Sequence, residues 1–311
     1  YYRWDTGDLA ESLLAYATGF YRRLVGGPAQ SLREQVAEGI EMVELYISLC
    51  EGLNISVADA RAELDMARAE LEAGDAIIEE KGAAGCSEAF EHYLNALDHL
   101  ERAFDLAVEA AKSTAEDLKA GYDDAYNANL TYVEDVAAHG IDVSDAYDLL
   151  TESRRKKSEG DGFLAMYNET RKEETAIFLL NATACYREAY DLLARAYDTA
   201  LDAAKSEAAF WIDEASRMLD EARAQPYANT TKIEEADIIL GEAMSRYEEH
   251  DYLAALDLAK KAYDLAKAAK EEGIEAERRA RETTTYVAVG AGVAVAAAIG
   301  AGAYIWSRRR A

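Results

Sequence analysis

The chain has 311 residues, with 33 Lys and Arg against 60 Asp and Glu, for a formal net charge of −27. A surface this acidic repels phosphate backbones and anionic headgroups, which argues against any nucleic-acid partner. Half of the residues are apolar, Ala foremost, and the only prolines are Pro28 and Pro226, so the composition predicts an all-α protein.

The chain begins at Tyr1 rather than Met, which reads as a mature, exported form whose leader has been removed. Its first element is a helix pair over 1–55. There Trp4, Leu9, Leu13, Phe20 and Leu24 make an apolar stripe ahead of a break at Gly26, Gly27 and Pro28.

Three helical repeats follow, at 56–142, 143–232 and 233–282. Val57-Ala58-Asp59-Ala60 leads to Leu64 and closes at Gly74-Asp75. Val143-Ser144-Asp145-Ala146 leads to Leu150 and closes at Gly160-Asp161, and Ile233-Glu234-Glu235-Ala236 leads to Leu240 and closes at His250-Asp251. A second block recurs as Phe104-Asp105-Leu106-Ala107, Tyr197-Asp198-Thr199-Ala200 and Tyr263-Asp264-Leu265-Ala266. The period is 86 to 90 residues.

Ser56, Asp142 and Thr231 are the expected helix caps, the last in a capping box with Glu234. Glycines at 74, 82, 85, 140, 160 and 162, with Pro226, read as stops. Helices of about 18 residues then alternate with helices of roughly 50 to 60. The expected architecture is an extended rod of tandem three-helix bundles in which neighbours share a continuous helix.

Tyr286–Trp306 is an uncharged stretch of 21 residues, which as a helix spans about 30 Å, the thickness of a bilayer's hydrocarbon. Tyr286 at one edge and Tyr304 with Trp306 at the other suit the headgroup zone, and Arg308, Arg309 and Arg310 follow as a cytoplasmic stop. A transmembrane helix is therefore expected over 283–307, with 308–311 as a cytoplasmic tail. Ala288, Gly292, Ala296 and Gly300 recur every four residues, a spacing that lets a second helix approach closely and predicts self-association in the membrane.

Orientation follows from the short tail and from the sequons. Of seven asparagines, Asn54, Asn129, Asn168, Asn181 and Asn229 begin N-x-S/T triplets, which predicts an N-glycosylated ectodomain outside the cell membrane. Scarce Gln, Asn, Cys and Met beside abundant charge predicts a thermophilic archaeal source.

Residues that could carry chemistry are few. Cys50, Cys86 and Cys185 have no C-x-x-C spacing; they read as three buried thiols, with a Cys50–Cys86 bridge left open. His92 and His99 share a helix face near Glu88 and Glu91, but neither has a Glu three residues before it, as a di-iron bundle requires. His250 takes the glycine place of the repeated turn. Nucleophile, phosphate-loop, EF-hand and haem-attachment patterns are lacking, so neither enzymatic activity nor a cofactor is expected. Tyr46, Tyr93, Tyr190, Tyr197 and Tyr263 fall on the Ala/Leu stripe and read as core.

The shared long helices make the layout similar to spectrin-type repeats. Ile233–Lys270, with Ala243, Tyr247, Tyr252, Ala255 and Ala262, resembles one tetratricopeptide hairpin. Stem and anchor together resemble the membrane-anchored stalk subunits of archaeal surface layers. That resemblance implies a cell-surface scaffold that positions or binds extracellular components through Tyr1 to about Val25 or the first bundle. Its partners would be other cell-surface or membrane proteins and the lipid bilayer. The alternative reading is an accessory or sensor subunit of a membrane complex, docking through its helical ectodomain and its Ala/Gly-rich span.

Overall fold

The structure is a computed structural model that describes residues 30–170 and 175–308, with side chains for 32–170 and 175–283. The helices are α1 (Gln30–Gly52), α2 (Ala58–Lys81), α3 (Cys86–Ala138), α4 (Ser144–Thr170), α5 (Ala176–Arg223), α6 (Thr230–Glu248) and α7 (Tyr252–Arg308), with a 3-10 turn at Gly82–Gly85. Among the described residues there is no strand, as the Ala-rich, Pro-poor composition requires. The leading stripe from Trp4 to Leu24 lies outside the described residues. So does the side-chain face of Tyr286–Trp306, including Ala288, Gly292, Ala296 and Gly300, although the α7 backbone continues through it. Among the residues whose side chains are described, which end at 283, no helix is long and apolar enough to cross a membrane.

Two compact units divide the chain. One comprises Tyr1–Val133 with Ser144–Tyr197, the other Glu134–Val143 with Asp198–Ala311. In the first, α3 buries Ala89, Tyr93, Ala96, Leu100, Ala103, Ala107, Ala111 and Ala115. These recur at three and four residues, so they form one stripe of a 3.6-residue helix. Small side chains along it let neighbouring helices approach to the short end of the 8–10 Å range, where α1 adds Val36, Tyr46 and Ile47. In α5 the buried stripe is Ala182, Tyr186, Ala189, Leu193, Ala196, Ala200, Ala204 and Ala208, the α3 pattern repeated residue for residue 93 positions later.

In the second unit Ile212, Ala215 and Leu219 of α5, Ala236, Leu240 and Ala243 of α6, and Ala259, Ala262 and Ala266 of α7 close around one core. Fully burying a side chain such as Leu240 contributes about 1.5–3 kcal/mol.

The glycines expected to stop helices require a correction. Gly74 lies inside α2, while Gly160 and Gly162 lie inside α4, which continues to Thr170. The next long helix, expected to follow the stop at Gly162, instead begins at Ala176. Gly74 and Gly160 stay helical because each gives up its side chain to seat a tyrosine ring. A Cβ on Gly74 would meet Tyr93 Cε1 at 2.5 Å, and one on Gly160 would meet Tyr186 Cε1 at 2.9 Å. Only the third repeat has a turn at this position, where His250 takes φ 64°.

Capping also differs from expectation. Asn229 rather than Thr231 caps α6: its side chain accepts the Lys232 N–H, because the helix begins at Thr230. Val57 precedes α2 with no side-chain cap, so Ser56 does not serve there.

Candidate functional site

The side chains that converge most strongly do so twice, once in each of the first two repeats. Asp75, one residue after the ring-seating Gly74, takes both Nε and Nη2 of Arg33 at 2.6 Å and the Tyr93 hydroxyl at 2.8 Å. Asp161, after Gly160, takes the Tyr186 hydroxyl at 2.8 Å, Lys157 at 2.8 Å and Lys119 at 3.0 Å. Helix α2 or α4 supplies the carboxylate, the following long helix the phenol, and the preceding one a cation, to which α4 adds its own Lys157.

The Arg33 guanidinium, with Tyr93 added, holds the Asp75 carboxyl below the usual carboxylate range. Burial alone would raise Asp161, yet hydrogen bonds from Lys157, Tyr186 and Lys119 keep it low. Burial first, then the Asp75 hydrogen bond, pushes Tyr93 up to about 12, and burial followed by the Asp161 hydrogen bond raises Tyr186 as well. A phenol that gives up its proton so reluctantly donates a hydrogen bond and does not act as a base. These clusters can clamp helices together; they offer no free nucleophile.

A third buried group links Tyr122, Ser153 and the backbone. The Tyr122 hydroxyl and Ser153 Oγ are 2.7 Å apart, and Ser153 donates to the Ala189 carbonyl at 2.7 Å. Ser153 takes the place held by Ala67 and Ala243 in the other repeats.

His92 and His99 do not converge on Glu88 and Glu91. Each faces its own carboxylate on α2, His92 with Glu70 at 2.7 Å and His99 with Glu63 at 2.6 Å. His250 Nδ1 sits 2.9 Å from the Tyr252 hydroxyl. Among the described residues no group of three or more His, Cys, Asp or Glu is placed to hold a metal ion.

All three cysteines are free, which leaves no Cys50–Cys86 bridge. They are not alike, however. Cys50 is buried and its thiol is pushed up to about 12 by that burial, whereas Cys86 is exposed and Cys185 half-buried. Tyr46 and Tyr93 are core residues, Tyr190 and Tyr263 are half-buried, and Tyr197 is exposed, with its ring 4.7 Å from that of Tyr132.

The five sequons fall in different settings. Asn54 is exposed in the turn after α1 at φ 51°, and Asn168 is exposed near the end of α4. Asn129 is half-buried within α3 and donates to the Ala125 carbonyl at 2.9 Å. Asn181 is half-buried in α5, and the hydroxyl of its partner Thr183 is fully buried against the Leu179 carbonyl. The Asn229 side chain is committed twice, accepting at the α6 cap and donating to Glu272 at 3.0 Å.

Helix α7 is gripped where it leaves the second core. A Cβ on Gly273 would meet the Ala228 nitrogen at 2.8 Å, so the helix passes directly against the α5–α6 turn. Lys270 pairs with Glu221 at 2.6 Å, Lys232 with Glu272, and Gln225 with Glu277 at 3.1 Å. Beyond this the pairs are local, Glu275 with Arg278 at 2.8 Å and Arg279 at 3.2 Å, and Glu277 with Arg281 at 2.6 Å. Local i,i+3 and i,i+4 pairs are what a solvated helix with no neighbour uses.

Comparison with known protein families, with characterised proteins and with solved structures finds no match for this chain.

Proposed function

We propose that the protein is a structural component of the cell surface: a glycosylated, acidic stem of tandem helical bundles held by one C-terminal transmembrane helix. It positions or binds extracellular components and performs no catalysis. The observation that carries this reading is α7, a single helix of 57 residues that starts in the second core and continues through the uncharged run Tyr286–Trp306. A break between stem and span would let the stem swing freely. An unbroken helix clamped at residues 270–277 transmits the orientation of the span to the stem, which is what a spacer requires.

The charge supports the same role, since an acidic stem is repelled by anionic headgroups and stands away from them. In the test, the full chain and a chain ending at Glu282 are each expressed in cells whose membranes are then washed at alkaline pH. The full chain should stay with the vesicles and the shortened one should leave them; retention of both rejects the span as the anchor.

A further inference from the structure

One ring pair recurs in the first two repeats, and its second copy differs from the first in cover and in chemistry. In the first repeat Tyr46 of α1 packs on Phe104 of α3, with ring centroids 5.2 Å apart and planes at 55°. In the second, Tyr132 of α3 packs on Tyr197 of α5 at 4.7 Å and 39°. The two pairs are equivalent. Tyr132 follows Tyr46 by 86 residues, as Lys119 follows Arg33, and Tyr197 follows Phe104 by the 93 residues that relate the α3 and α5 stripes.

The first pair is closed to solvent. Tyr46 is 3% exposed and its hydroxyl donates to the Ala176 carbonyl at 3.3 Å, so another stretch of chain covers it. The second pair is open: Tyr197 is 38% exposed and Tyr132 is half-buried. Phe104 also shows that the packing needs no hydroxyl on the partner ring, since ring contact is served equally by a phenyl group. The second repeat nevertheless places a phenol on both sides.

We propose that Tyr132 and Tyr197 form a site of oxidative cross-linking, at which a one-electron oxidant driven by hydrogen peroxide joins the two rings through a carbon–carbon bond. Each phenol gives up one electron and its hydroxyl proton, and the peroxide takes both electrons and both protons and leaves as two waters. The two phenoxyl radicals then couple at carbons ortho to oxygen. The proton displaced from each of those carbons returns to oxygen, which restores two phenols.

Proximity and access coincide at this pair. Its centroids are closer than those of any other aromatic pair among the described residues. Every other tyrosine–tyrosine pair among them includes a buried ring, either Tyr122 at 1% exposure or Tyr252 at 7%. The new bond would tie α3 to α5 and close a covalent loop around α4 and the arm that α4 forms with the start of α5. Such a loop removes conformations from the unfolded chain, so the cross-linked protein resists unfolding.

The test treats the full chain with a haem peroxidase and hydrogen peroxide at successive dilutions. Peptide mass spectrometry should find the Tyr132 and Tyr197 peptides joined and short of two hydrogen atoms, in a yield that does not change with protein concentration. The urea midpoint of the treated chain should rise. Tyr197→Phe rebuilds the ring pair of the first repeat, so it should keep the helical circular dichroism while losing the joined peptide and its blue fluorescence. Tyr126→Phe, at the buried pair with Tyr122, should keep both signals. Absence of the joined peptide overturns the proposal. A yield that falls on dilution assigns the coupling to two chains, and joined peptides from the exposed Tyr147 or Tyr227 in its place assign it to exposure alone; either result overturns it too. None of these readouts depends on whether Tyr286–Trp306 crosses a membrane.

Discussion

Two glycines in one helix, two residues apart, should respond in opposite directions to the same substitution. Gly162 of α4 is exposed, and a Cβ there would meet nothing within 4 Å. Gly162→Ala should therefore stabilise by about 0.5–1 kcal/mol, the intrinsic preference of Ala over Gly in a helix. Gly160→Ala gains the same preference, but its methyl would sit 2.9 Å from Cε1 and 3.0 Å from Cδ1 of a fully buried Tyr186 ring. Overpacking of this kind costs about 1–3 kcal/mol. If the ring moves, the hydrogen bond to Asp161 is strained as well, and such bonds to charged groups are worth about 1.5–3 kcal/mol. Set against a helix gain of about 1 kcal/mol, the net effect is a loss of about 2 kcal/mol. The assay is urea unfolding of the full chain followed by helical circular dichroism, with hydrogen exchange at 146–164 to localise the change. A Gly160→Ala variant as stable as Gly162→Ala would refute the ring-seating role.

Further predictions concern the clusters and the modification sites. Asp75 has a folded pKa below its unfolded value, so its contribution is fully present above about pH 4 and is lost as pH falls through the depressed folded value. Asp75→Asn should accordingly lower the urea midpoint at pH 7 and lower it much less at pH 2.5; an equal loss at both would contradict the assignment. Ser153→Ala should cost about 1–3 kcal/mol by leaving the buried Tyr122 hydroxyl unpaired, and adding Tyr122→Phe should recover much of it in a double-mutant cycle. Asn229→Ala should cost about 1 kcal/mol and speed exchange in the first turn of α6. In chain glycosylated after folding, peptide mass spectrometry should find glycan at Asn54 and Asn168, and none at Asn181, whose Thr183 is buried, or at the doubly bonded Asn229.

Legibility in the sequence followed the range of each interaction. Helix formation is local, so composition and periodic Ala stripes were enough to predict an all-α chain and to align Leu64, Leu150 and Leu240. Gly74 and Gly160 were misread as stops because what keeps them helical is a tyrosine that lies well along the next helix. That contact is tertiary and leaves no mark beside the glycine. The left-handed turn at His250 shows the complementary case: the third repeat brings Tyr252 only two residues after His250, so there is no arm and the position is free to turn. Asn229 was visible as a sequon and not as a cap, because two threonines followed it and either could have begun the helix. For the histidines, spacing on α3 placed His92 and His99 on one face, but it could not reveal that Glu70 and Glu63 lie opposite. Exposure of Cys86 and Tyr197 likewise depends on which helix passes by, which no local pattern records.

The most direct test of a stem outside and a span within the membrane is protease treatment of intact cells that express the full chain with small epitopes at both ends. An epitope before Tyr1 should be removed, while one after Ala311 should be protected until the membrane is opened with detergent. Protection of both epitopes, or removal of the C-terminal one alone, would contradict the account.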